Sequence, residues 1–140
     1  MKVLIIDNYD SFTYNLVHLV QYILQQDVDV VRNDQLNMDS VEAYDKILLS
    51  PGPGVPDEAG MMKDVIKRFA PVKSIFGVCL GMQAIAEVFG GKLRNLDEVY
   101  HGVSSEIKVT AKSSLFNNIQ QRFPAARYHS WIVDKVEILT

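Results

Sequence analysis

Ser74-Ile75-Phe76-Gly77-Val78-Cys79-Leu80-Gly81-Met82-Gln83-Ala84-Ile85-Ala86 is the stretch around which the chain is organised. A short apolar run ends at a glycine, passes the only cysteine and a second glycine, and then becomes amphipathic. The spacing Gly77-x-Cys79-x-Gly81 is the thiol counterpart of Gly-x-Ser-x-Gly, in which a tight strand-to-helix turn holds up a nucleophile. A side chain at Gly77 or Gly81 would crowd a turn that tight. Cys79 would then stand at a helix N-terminus, where unpaired N–H groups and the helix dipole favour a thiolate. On this stretch alone two readings are open: a nucleophile, or a buried cysteine that packs as a small hydrophobe.

Upstream, Lys2-Val3-Leu4-Ile5-Ile6-Asp7 is a β-branched apolar run closed by an acid, as suits a parallel strand covered on both faces. Asn8 to Phe12 is turn chemistry, with Asp10 or Ser11 as the expected cap of a helix from about Phe12 to Gln25. Leu16, Leu19, Val20 and Ile23 form the expected core-facing stripe of that helix. Val28–Arg32 reads as a second strand, which makes a βαβ unit with a right-handed crossover. Lys46–Ser50 is a third strand, running into Pro51-Gly52-Pro53-Gly54-Val55-Pro56. That loop is stiff, and its backbone can come close to a ligand. Like the Cys79 turn, it follows the carboxyl end of a parallel strand, where open α/β sheets bind ligands. A helix from Asp57 to about Phe69 and the elbow helix, ended by Phe89-Gly90-Gly91, complete this part. Beyond Gly91 the rhythm changes to short strands at Gly91–Leu93, Ser105–Thr110 and Trp131–Val133, read as a smaller antiparallel portion. The expected fold is thus α/β, an open and mostly parallel, flavodoxin-like sheet flanked by helices. No linker or repeat divides residues 1–140, so one domain is expected.

Composition narrows the function classes. A hydrophobic fraction of 48% with 22% charged residues is globular, and the net charge of −3 argues against a general nucleic-acid or anionic-membrane binder. A single cysteine excludes an internal disulfide and a thiolate-only zinc site. Asp7 and Asp10 interrupt the first apolar run, so neither a signal pattern nor a membrane span is expected and the chain reads as cytoplasmic. No His/Asp/Glu cluster has ligand spacing, and no metal or organic cofactor is expected.

Four motifs occur in order: Asp7-Asn8-Tyr9-Asp10-Ser11-Phe12-Thr13-Tyr14-Asn15, Leu49-Ser50-Pro51-Gly52-Pro53-Gly54, Gly77-Val78-Cys79-Leu80-Gly81-Met82-Gln83 and Arg127-Tyr128-His129-Ser130-Trp131. Together they resemble the class I glutamine amidotransferases, specifically the small subunits of anthranilate synthase and aminodeoxychorismate synthase. The resemblance covers nearly the whole chain. It implies glutamine hydrolysis through a glutamyl thioester on Cys79, with ammonia passed to a chorismate-binding synthase subunit (component I). It implies an oxyanion held by the backbone N–H groups of Gly52 and Leu80, and glutamine contacts at Gly52, Gly54, Gln83, Ser130 and Trp131.

The family also carries a His-x-Glu pair near the C-terminus, the histidine as base and the glutamate as its orienter. The three histidines here, His18, His101 and His129, precede Leu19-Val20, Gly102-Val103 and Ser130-Trp131, so none fits. The expectation is an amidotransferase domain truncated before that pair and before its last strand, with little or no glutaminase activity. A substitute base at His101 or His129 is disfavoured, because the family has residues of these kinds here in non-catalytic roles.

Trp131, where leucine is more familiar in the family, tilts the branch towards anthranilate synthase over the folate pathway. Two other readings stand beside the enzyme. A non-catalytic module that docks on a synthase gains from the absent pair, but has no need of a chemically competent elbow. A mononucleotide binder fits the sheet but lacks a phosphate-cradling loop.

Overall fold

A computed structural model describes residues 1–134; residues 135–140, the end of the expected domain, lie outside the described residues. The described chain groups into two compact units, one of Met1–Leu93 with Val133 and Asp134, the other of Arg94–Ile132.

The first unit carries β1 (Val3–Asp7), α1 (Thr13–Leu24), β2 (Asp29–Arg32), β3 (Lys46–Leu49), α2 (Met62–Phe69), β4 (Ser74–Gly77) and α3 (Leu80–Val88), with short 3-10 turns at Ser40–Ala43 and Pro56–Glu58. The strands form one parallel sheet in the order β2-β1-β3-β4. Every residue of β1 is buried, as its apolar run requires. Successive side chains leave opposite faces, so Leu4 and Ile6 join Ile47 and Leu49 beneath α2 and α3. There they share one core with Met62, Val65, Ile66, Phe69, Leu80 and Ala84. The open sheet with flanking helices is the fold expected.

Helix α1 departs from expectation. Its buried residues are Thr13 and Val17, whereas Leu19 and Ile23 of the expected stripe are 53% and 65% exposed. The physical reason is Asp7, whose buried carboxylate accepts from the Thr13 hydroxyl (2.8 Å) and the Tyr9 N–H (2.9 Å). Those bonds turn Thr13, and Val17 one turn on, towards the sheet. No side chain caps α1; Asp10 instead accepts from the Phe12 N–H one turn too early.

Where the chain leaves the sheet, three neighbouring strands each put a polar residue into the interior. Asn8 follows β1, Asn33 follows β2 and Ser50 follows β3, at 2%, 5% and 0% exposure. The Asn33 side-chain amide donates to Asn8 Oδ1 (3.0 Å), and Asn8 Nδ2 donates to the Ser50 carbonyl (2.8 Å) and meets Met62 Sδ (3.2 Å). The Asn8 N–H donates to Ser50 Oγ (2.9 Å). A buried polar group costs stability unless paired, and here the pairing is among strand ends. The β1–β3 boundary is where the strand order reverses, the place at which such sheets open a crevice.

The second unit is a two-stranded antiparallel ribbon of β5 (Leu93–Lys108) and β6 (Arg122–Val133), longer and more continuous than the short strands expected. Within β5, Gly102 has φ +74°, and a Cβ there would stand 3.3 Å from the Tyr128 hydroxyl. On the ribbon the Arg127 guanidinium lies 3.6 Å over the Tyr100 ring, and the Tyr100 and His129 rings stack at 5.6 Å.

Replacing Asn8 by Ala strands the Asn33 amide and the Ser50 carbonyl in the interior. The expected loss of unfolding free energy is about 2–4 kcal/mol, read by urea denaturation. A loss under about 0.5 kcal/mol at unchanged m-value would show that the strand ends do not depend on one another.

Candidate functional site

The elbow is built by a β-turn. The Gly81 N–H donates to the Val78 carbonyl (3.0 Å), closing a four-residue turn over Cys79 and Leu80. Cys79 has φ +51° and ψ −109°, the first central position of a type II′ turn, which glycine ordinarily occupies. A side-chain-bearing residue there is strained, by about 1–3 kcal/mol. Helix α3 starts at once: the Gln83 N–H donates to the Cys79 carbonyl at 2.9 Å.

Two glycines make the turn possible. A Cβ on Gly77 would fall onto the Gly81 carbonyl carbon and the Met82 nitrogen. On Gly81 it would stand 2.5 Å from Leu49 Cβ and 2.6 Å from the Leu49 oxygen, so α3 begins in contact with the end of β3. The Val78 N–H donates to that same Leu49 carbonyl (3.0 Å). At its far end α3 closes with Gly90 at φ +90°, its N–H on the Glu87 carbonyl, and the Gly91 N–H on the Ala86 carbonyl (2.7 Å), the expected glycine cap.

The proline-rich loop packs beside the elbow. A Cβ on Gly52 would stand 2.6 Å from Asn8 Cβ and 2.8 Å from Leu80 Cδ2. Gly54 has φ +72°, and the Glu58 carboxylate occupies the space its side chain would need while accepting from the Val55 N–H (3.3 Å). Gln83 is buried on α3, one turn beyond Cys79. The first unit thus gathers Cys79, Leu80, Gln83 and Gly52, with Gly54 farther along the same loop. Ser130 and Trp131 lie half-buried on β6 in the second unit, where the Trp131 carbonyl meets His129 Nδ1 at 3.1 Å. Beside the loop, a cavity of about 350 Å³ is lined by Asn8, Tyr9, Asn33, Pro53, Glu58 and Leu80, among others.

Electrostatics at the sulfur overturn one expectation. The Cys79 thiol is pushed up, not down: burial outweighs the Leu80 N–H that donates to the sulfur, and the Asp10 carboxylate adds to the rise. A short helix start supplies one directed N–H, which does not offset the loss of water around a half-buried thiolate. Local sequence pattern gives Asp10 only as a cap, and Asn8 and Asn33 as turn or strand-end residues. Their burial depends on the folding of three distant segments together, so local pattern could not reveal it. Among the described residues no group of three His, Cys, Asp or Glu is placed to hold a metal ion, and no helix is long and apolar enough to cross a membrane.

The family model for class I glutamine amidotransferases matches residues 4–140. The chain is 48% identical over 138 residues to anthranilate synthase component 2 of Lactococcus lactis, covering 98% of this chain and 69% of that protein. It is 47% identical over 135 residues to the aminodeoxychorismate/anthranilate synthase component 2 of Bacillus subtilis, covering 94% and 68%. Among solved structures, a glutamine amidotransferase from Thermotoga maritima superposes with TM-score 0.77 at 16% identity, over 96% of this chain and 62% of that one. The glutaminase domain of Trypanosoma brucei CTPS, with bound acivicin, does so at 0.71 and 17%, over 95% and 68%. At those identities the structures share the fold.

Alkylation of Cys79 by iodoacetamide follows the thiolate, so its pH midpoint should lie above the ordinary thiol value of about 8.5. Asp10→Asn keeps an acceptor for the Phe12 N–H but removes a negative charge, and should move the midpoint down. A wild-type midpoint at or below that of a free thiol contradicts the burial argument.

Proposed function

The chain belongs to the class I glutamine amidotransferases, and we propose that it is the glutaminase subunit of a chorismate-using synthase, most directly anthranilate synthase. The observation that carries this reading is Cys79 held at φ +51° on a strand-to-helix turn with the Leu80 N–H at its sulfur. A residue that merely packs has no need of so costly a backbone.

In the proposed reaction the Cys79 sulfur attacks the side-chain amide carbon of glutamine. The thiol proton ends on the leaving nitrogen, which departs as ammonia, and a glutamyl thioester remains. Water then cleaves the thioester, giving glutamate and regenerating the thiol; no metal or organic cofactor enters. The charge that develops on the amide oxygen is assigned to the N–H groups of Leu80 and Gly52. Glutamine contacts are assigned to Gly52, Gly54, Gln83, Ser130 and Trp131 by correspondence with the family motifs. The contact between Gly52 and Leu80 supports the first assignment, and burial of Gln83 one turn from Cys79 supports its place in the second.

The relatives are named as component 2 of their synthases, which supports a component I as partner. That the partner binds chorismate, forms a hetero-oligomer with this chain and uses its ammonia in the cytoplasm is assigned by the family resemblance. Residues 1–140 are taken as one amidotransferase domain. The Bacillus subtilis relative's name covers both the anthranilate and aminodeoxychorismate branches, which keeps the folate route as the second reading. These 140 residues contain no His-x-Glu, and a thiol pushed up by burial needs a base to ionise it. A polypeptide of these residues alone is therefore expected to turn glutamine over ~10²–10⁴-fold more slowly than one with a positioned base.

Intact mass before and after exposure to a diazo-ketone analogue of glutamine tests the reading. One adduct, absent from Cys79→Ala, is expected. Unlabelled protein whose Cys79 still takes iodoacetamide would contradict a glutamine site at the elbow.

A further inference from the structure

We infer that the Ser50 hydroxyl is a positioning group that aims the Gly52 N–H at the developing oxyanion; the inference rests on the amidotransferase reading above. Ser50 is fully buried at the end of β3, and its hydroxyl has two partners. The Asn8 N–H donates to Ser50 Oγ at 2.9 Å, and Ser50 Oγ lies 2.7 Å from the Pro51 carbonyl oxygen. A carbonyl oxygen only accepts, so the hydroxyl proton must point at Pro51. The direction of the chain is therefore fixed: Asn8 N–H to Ser50 hydroxyl to Pro51 carbonyl.

The Pro51 carbonyl belongs to the same planar peptide unit as the Gly52 N–H. In a trans unit the two bonds point in opposite directions, and among the described residues no peptide bond is cis. Whatever holds the carbonyl therefore also aims the N–H. Gly52 cannot supply that control itself: without a Cβ it is conformationally permissive, and its neighbours Asn8 and Leu80 leave no room for a side chain that would restrict it. Proline fixes φ of residue 51 but leaves its ψ, the torsion that rotates this peptide plane, to be set by a contact. Ser50 makes that contact.

Asn8 serves the same corner differently. Its side chain ties the Ser50 carbonyl and Asn33 together, while its backbone N–H, present whatever the side chain, orients the hydroxyl. The two residues can thus be separated by mutation. Asn8→Ala removes the ties and keeps the N–H; Ser50→Ala removes the hydroxyl alone.

Two alkylation rates at Cys79 are compared, below the unfolding midpoint of every variant. The diazo-ketone glutamine analogue alkylates sulfur with loss of dinitrogen, its ketone oxygen seated where the oxyanion would be. Iodoacetamide loses iodide in a displacement that builds no charge on oxygen. In Ser50→Ala the ratio of analogue rate to iodoacetamide rate should fall about 10–10²-fold. In Asn8→Ala it should stay within about threefold of wild type although stability falls. A Ser50→Ala ratio equal to wild type overturns the inference and leaves the amidotransferase reading intact. So does a ratio that follows stability through both variants. If the wild-type chain takes iodoacetamide at Cys79 but no analogue, the functional reading falls and this inference with it.

Discussion

Three backbones meet more closely in this molecule than side chains would allow, and the site depends on that approach. The end of β3, the turn after β4 and the first residues of α3 touch at Leu49, Gly77 and Gly81, with a Cβ on Gly81 only 2.5 Å from Leu49 Cβ. The Val78 N–H on the Leu49 carbonyl pins the elbow to β3. The residues that follow Leu49 are Ser50, Pro51 and Gly52. The nucleophile and the loop that faces it are therefore set by one contact, and cannot drift apart without breaking the sheet-to-helix packing. Interiors at native density transmit such constraints because they have little slack.

The polar layer at the strand ends gives this contact its direction. Apolar packing alone would hold β1, β2 and β3 side by side but would not specify the rotation of a peptide plane just beyond them. Hydrogen bonds do, because they are directional and costly to leave unmade in the interior. The Asn8 backbone N–H and the Ser50 hydroxyl hand that direction from the sheet to the loop, while the Asn8 and Asn33 side chains tie the strand ends together. The sulfur stands in contrast. Burial and Asp10 both resist its ionisation, and only the Leu80 N–H favours it. The elbow positions the thiol without charging it.

Much of this was legible in the sequence. Apolar runs closed by polar residues disclosed the strands, and Gly77-x-Cys79-x-Gly81 suggested the elbow, since a strand-to-helix turn that tight leaves no room for a side chain at either glycine. What stayed hidden was set by distant partners. The Leu19 and Ile23 stripe is real as a pattern, yet a buried carboxylate at Asp7 turned α1 by its Thr13 hydroxyl. Ser50 looked like the polar end of a strand, and only the arrival of the Asn8 N–H gives its hydroxyl a direction. The sign of the thiol shift failed for a related reason: a helix start can be read locally, but the burial opposing it belongs to the whole fold.

The fold bears backbone strain at position 79 in order to present the sulfur, and the relative stability of Cys79→Gly and Cys79→Ala measures that strain. Both remove the thiol; only glycine relieves the left-handed turn. Cys79→Gly is expected to unfold at higher urea, by about 1–2 kcal/mol over Cys79→Ala. At an unstrained position glycine is the worse residue by about 0.5–1 kcal/mol. That ordinary order at position 79 would mean that the turn is unstrained.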